Sequence, residues 1–221
     1  MTDLQLNAHD ILSVADDLFH TQGFAETRLT HIADEAGIPL EIVERQYEDT
    51  AHIALCLYHQ LANESLDWVD TLPTGTISER YHALLSHKLS QWQANEEITV
   101  ALFSTAMLPQ SSITPIAISQ GKDDPMLSAM HSVVDGASDH VVRHAEDITL
   151  MMYAFHFLVV IFWLYDRTDN KQASHIFVGF LREFIKLIRP MMVMPLVSKA
   201  MSQMAKIIML VFGGAKLSSD K

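Results

Sequence analysis

Apolar residues recur along most of the chain at intervals of three and four, the spacing that gathers them on one face of a helix, and alternating β-branched runs are scarce. This pattern predicts an all-α fold. Ile11, Leu12, Ala15, Leu18 and Phe19 form the first apolar face. Asn7, with Asp10 three residues on, is expected to open that helix and Gly23 to close it. Thr27 is expected to cap a second helix running to Ala36, Gly37 to turn the chain, and Pro39 to open a third helix that directs Ile42 and Val43 inward. Three short helices joined by a tight glycine turn read as a helix-turn-helix module.

Longer helices follow. One is predicted from Thr50 to about Leu72, burying Ile53, Leu57, Leu61 and Trp68, with Pro73 and Gly75 of "TLPTG" ending it. Others are predicted at about 76–94, 96–108, 125–144, 146–167 and 170–192, and the Ser-, Gly-, Pro- and Gln-rich segment from Pro109 to Pro125 reads as a long loop, a lid or pocket edge. Ile148 to Tyr165 is an uncharged run that reaches the lower length limit for a membrane span. His156 at its centre and acids beyond both ends favour a helix buried on all sides, which with the next helix would form a homodimer interface over residues 146–190. The last segment, "PLVSKAMSQMAKIIMLVFGG", places Val197, Met201, Met204, Ile208 and Val211 on one stripe and Lys199, Ser202 and Lys206 on another, before Gly213 and Gly214 break it. It reads as an added amphipathic helix, packed on the protein or in peripheral contact with an anionic membrane through 195–212.

Composition narrows the picture. A 221-residue chain that is 49% apolar can bury a substantial core. Its net charge of −12 is uneven: residues 1–55 hold eleven acids against two arginines, whereas residues 167–221 hold nine Lys or Arg against three acids. The basic surface therefore lies at the opposite end of the chain from the helix-turn-helix. The N-terminus carries no secretory signal pattern and the single cysteine, Cys56, cannot form an internal disulfide, so a reducing cytoplasm is expected.

The segment "ILSVADDLFHTQGFAETRLTHIADEAGIPLEIVERQY" resembles the N-terminal domain of the tetracycline-repressor (TetR) family in its first-helix apolar pattern, the turn at Gly23 and Phe24, Thr27, the Ile32–Ala33 pair and Ala36-Gly37-Ile38. The resemblance covers about 45 residues; it implies an all-helical homodimer whose N-terminal module binds operator DNA and whose C-terminal domain binds a small, often apolar molecule. It divides the chain into a DNA-binding-like domain at 1–50, a ligand-binding and dimerisation domain at 51–194, and the added helix and tail at 195–221. Thr27, Arg28, Leu40, Glu41, Glu44, Arg45 and Thr50 are the DNA-facing positions it implies. Several depart from the family pattern: Pro39 stands where Ser or Thr is usual, Glu41 and Glu44 where a small residue and an exposed Tyr are usual, and Thr50 where Lys is common. Phosphate neutralisation is thereby weakened, while Arg45 can still read guanine and Glu41 or Glu44 can accept from a cytosine amino group. Glu41 and Arg45 are also spaced to pair with each other.

Phe103, Met107, Met126, Met130, Met151, Met152 and Phe155 fall on helices that would wall the pocket in such a fold, and flexible methionines suit an apolar or amphipathic effector. "WLYDRTDNKQASHIFVGFLREFI" is similar in rhythm to the end of TetR-fold lipid-binding accessory proteins of ubiquinone biosynthesis; that resemblance implies the alternative of a lipid-binding accessory protein that has lost DNA binding and associates with membranes through a terminal helix. His140 and His144, with Asp135 and Asp139, are the best metal-like cluster, but a third ligand is missing, and no metal or other cofactor is expected. No phosphate loop, nucleophile elbow or cysteine pair is present, so catalysis is not expected.

Overall fold

The computed structural model describes residues 2–106, 124–140 and 144–212. Among these residues there are ten α-helices and no strand: α1 (Thr2–Thr21), α2 (Leu29–Ala36), α3 (Leu40–Gln46), α4 (Thr50–Asp70), α5 (Ile77–Ala94), α6 (Glu96–Ala106), α7 (Pro125–Asp135), α8 (Ala145–Tyr165), α9 (Gln172–Ile188) and α10 (Pro195–Phe212). Short 3₁₀ turns at Asp169–Lys171 and Arg189–Val193 join the last three. The described residues divide into two compact units, one holding 2–61 and 92–106 and the other 62–91, 124–140 and 144–212. The loop expected over 109–123 lies outside the described residues.

In the first unit Ile11, Phe19, Ile32, Val43, Ile53 and Ile98 converge with no exposed surface or almost none. Burial of side chains of this size stabilises by about 1.5–3 kcal/mol each, which locks α1, α2 and α3 together. Gly37 lies in the left-handed region, at φ 64° and ψ 31°, and its N–H and that of Ile38 close the end of α2 on the carbonyls of Asp34 and Ala33. Two local expectations need correction. The first helix begins at Thr2, so Asn7 lies inside it, because nothing from residue 2 onward interrupts the helix. Thr27 does not cap α2; Arg28 holds that position, and the buried Thr27 hydroxyl turns back to donate to the Gly23 carbonyl at 2.8 Å while accepting from Gln22.

In the second unit α7 and α10 both pack against α8. Asp124 caps α7 by accepting from the Met126 N–H, with Pro125 at the first helical position. That helix stops at Asp135 rather than near residue 144. Arg80 supplies the reason: its buried guanidinium donates to the carbonyls of Ser132 and Val133 in the last turn of α7, and to those of Leu72 and Pro73 after α4. His140 and His144 therefore do not share a helical face, and Asp139 is committed to the Ile77 N–H and to Arg189.

Helix α8 is long and apolar enough to cross a membrane by length and composition, yet half of that segment is buried inside the protein. At its end the Asp166 carboxylate accepts from the N–H and hydroxyl groups of both Thr168 and Ser174, fixing the corner into α9. Burial alone would raise its pKa, but these hydrogen bonds hold it well below the usual carboxylate range. Lys171, itself left-handed at φ 55°, stacks its ammonium on Trp163 and donates to the Asp166 carbonyl. Leu61 and Trp68, expected in the core, are half-buried, and Trp68 stacks on His87 at 4.2 Å. In α10 Met201 is buried and Val197 half-buried, but Met204 is exposed. Ile208 and Val211 belong to α10, but their side chains lie outside those described, as do Gly213 and Gly214 altogether.

Candidate functional site

The helix-turn-helix presents one exposed helix. Pro39, with φ −59° and ψ 138°, enters α3, and Val43 anchors its inner face with no exposed surface. Glu41, Glu44 and Arg45 point outward, and among the described residues no ion pair joins Glu41 to Arg45. Arg28 is exposed at the start of α2; Leu40 and Thr50 are half-buried; Thr27 is buried. Around α2 and α3, exposed Asp34, Glu35, Glu41, Glu44, Glu48 and Asp49 outnumber Arg28 and Arg45, so the surface is acidic. A negative field of this kind repels a phosphate backbone and leaves base-edge contacts as the principal attraction to a duplex.

The proposed pocket residues separate. Phe103 is buried in the first unit, edge-on to Tyr58 and Trp92. Met126, Met130 and Met152 are buried in the second unit on the packed pair α7 and α8, where Met151 and Phe155 are half-buried. Met107 lies outside the described residues.

A buried polar group accompanies those methionines and was not anticipated. Lys88, on α5, has no exposed surface; its ammonium donates to the Gln91 side chain at 2.9 Å, and the same Gln91 oxygen accepts from Ser65 at 2.8 Å. Desolvation lowers the Lys88 pKa to about 7, against the opposing pull of the Glu64 and Asp124 carboxylates. Asp124 accepts a short hydrogen bond from the Tyr153 hydroxyl. His156, almost fully buried one turn further along α8, is held neutral, its pKa lowered to about 3 by burial and secondarily by Lys88. The signal was available: Lys88 sits in register with Leu84, Leu85 and Trp92, at a position where α5 is otherwise apolar. A separate cavity of about 360 Å³ in this unit is lined by Thr76, Glu79, Asp139, Arg182, Lys186 and Arg189 among others, and its opposite charges largely neutralise one another. Among the described residues no three His, Cys, Asp or Glu side chains come together as a metal site would require.

No protein-family model and no curated protein matches the chain. Solved structures do. A tetR-family transcriptional regulator from Streptomyces coelicolor is similar over 94% of this chain and 90% of its own, with a TM-score of 0.56 at 15% identity. A protein of unknown function from Rhodococcus sp. RHA1 is similar over 80% of this chain and 94% of its own, with a TM-score of 0.51 at 13% identity. At such identities the likeness speaks to architecture, and it extends beyond the helix-turn-helix into the second half of the chain. The chain has the all-helical fold of a TetR-family transcriptional regulator.

Proposed function

We propose that the protein is a ligand-responsive transcription regulator, a repressor that acts as a cytoplasmic homodimer and performs no catalysis. Residues 1–50 bind operator DNA, 51–194 bind the effector and dimerise, and 195–221 add a further helix. The observation that carries this reading is α3: a helix set behind the left-handed Gly37, anchored by Val43, with Glu41, Glu44 and Arg45 facing solvent. Arg45 is suited to the acceptor edge of guanine, Glu41 or Glu44 to the cytosine amino group, and Leu40 to a thymine methyl. Arg28 and Thr50 contact the backbone, while Thr27 holds the turn that sets their position.

The effector in this reading is apolar or amphipathic. Met126, Met130 and Met152 give an adaptable apolar wall, with Met151 and Phe155 beside it. An effector that binds more tightly to a conformation with weak operator affinity releases the DNA by shifting that population. Sequencing of genomic fragments retained by the purified chain tests the proposal. Enrichment of palindromic sites is expected, and recovery of fragments without sequence preference, or of none, rejects it.

A further inference from the structure

Helix α10 carries two adjoining apolar strips, and among its described side chains one is seated on the protein while the other faces outward. Met201 is buried, Val197 is half-buried, and Ser202 donates to Asp147 of α8 at 2.7 Å, so this side is seated. On the other side Leu196 is 81% exposed, Ile207 55% and Met204 52%, and Ala200 lies between them, also exposed. At 3.6 residues per turn these four fall within about 80° of arc, a continuous outward stripe. Lys199 and Lys206, both exposed, lie roughly 70° to one flank of it. The helix contains no acid, and residues 167–221 carry an excess of six positive charges on a chain whose net charge is −12.

We infer that the outward face of α10 docks on an anionic lipid surface, with Leu196, Ala200, Met204 and Ile207 in the acyl boundary and Lys199 and Lys206 at the headgroups. An apolar stripe edged by lysines suits a helix lying in the membrane interface, because the ammonium groups reach the phosphates while their methylene stems stay apolar. A second copy of the chain is the weaker fit. Lysine is depleted from protein interfaces and aromatic residues are enriched, and this stripe has the lysines without an aromatic. The aromatic surface lies on α8 and α9, at Phe162, Tyr165 and Phe180. The inference does not depend on DNA binding.

Cosedimentation of the full chain with vesicles of phosphatidylcholine alone, and with vesicles that also contain phosphatidylglycerol, tests it. Binding is expected only to the anionic vesicles, weakening as salt rises. Lys199→Gln with Lys206→Gln is expected to weaken it by roughly 25-fold, about fivefold for each lysine near such a surface. Leu196→Asp with Ile207→Asp is expected to abolish it. Absence of binding, or binding unchanged by both pairs, overturns the inference. A shift of the protein alone from dimer to monomer in Leu196→Asp with Ile207→Asp also overturns it, since a second copy would then cover the stripe. Should that variant aggregate, the exposed lysine pair still decides the matter.

Discussion

The guanidinium of Arg80 stands where a side chain at Gly136 would have to be: a Cβ built at that glycine meets the Arg80 Nη2 at 2.5 Å and Cζ at 2.8 Å. The backbone at Gly136 is ordinary, so the glycine is required by space rather than by conformation. The arginine in turn donates to the carbonyls of Leu72 and Pro73 after α4 and of Val133 in α7, and adds a second donor to Ser132, which also accepts from the Gly136 N–H. Gly136→Ala is expected to destabilise the second unit by about 1–3 kcal/mol, the usual cost of forced overpacking. Arg80→Met, which strips those carbonyls of the guanidinium donor, is expected to cost more. Urea denaturation of both variants checks the order.

The Asp166 corner makes a pH-dependent contribution. Its folded pKa lies below its unfolded value of 3.8, so the stabilisation is fully present above that value and is lost as pH falls below it. Asp166→Ala is expected to cost about 2–4 kcal/mol near neutrality, because charge-assisted bonds from Thr168 and Ser174 are removed and the buried Ser174 donors are left unpaired. The loss relative to the native chain should shrink in acid. Denaturation midpoints at pH 7 and pH 3 measure it.

Lys88 works in the opposite sense. Its folded pKa of about 7 lies below the unfolded value of 10.5, so the unfolded chain binds more protons between these values. Stability contributed through this residue therefore rises with pH from about 7 to 10.5, and the full penalty, at most about 5 kcal/mol, applies below that window. The stability difference between Lys88→Met and the native chain is expected to move toward the native chain as pH rises through the window. A pH-independent difference would show that the ammonium is not desolvated as the geometry requires. Gln91 keeps Ser65 as a donor in the variant, which limits collateral loss.

The dimer expected over residues 146–190 has a candidate surface. Phe162 stacks on Phe177 at 4.7 Å, and Phe180 continues the row, while Tyr165, Ile176 and Phe180 remain exposed. Apolar aromatic patches of this kind mark association surfaces. Ile176→Glu or Phe180→Glu is expected to weaken self-association by about 2 kcal/mol or more, roughly thirtyfold in Kd. Sedimentation across a concentration series reads the change, and a native chain that stays monomeric throughout contradicts the dimer.

Local signals made the helices and their turn legible in the sequence. Gly37 and Pro39 act within a few residues of themselves, and α3 followed from them. What the sequence hid depends on distant partners or on ambiguous phase. The early stop of α7 at Asp135 is enforced by Arg80, far away in the chain, and Thr27 abandons its cap for the Gly23 carbonyl across the same turn. Lys88 is hard to read as a core residue because lysine is rarely fully buried, although its register with Leu84 and Trp92 places it inside. In α10 the stripe through Val197 and Met201 and the stripe through Leu196 and Ala200 are both apolar, so periodicity alone could not say which faces out. The exposed residues of α3 were readable as positions; their acidic charge is the reason that what they contact was not.

Fluorescence anisotropy of the protein's own upstream DNA, titrated with the native chain and with Glu41→Gln combined with Glu44→Gln across a salt series, tests the regulator reading most directly. The native chain is expected to bind at low salt, and Arg45→Ala to weaken it by about 1–3 kcal/mol if the guanidinium reads a base. The double Gln variant is expected to strengthen non-specific binding while leaving the salt slope nearly unchanged, because repulsion is removed without adding a cation that displaces counterions. No binding at low salt by either the native chain or the Gln variant would contradict the account.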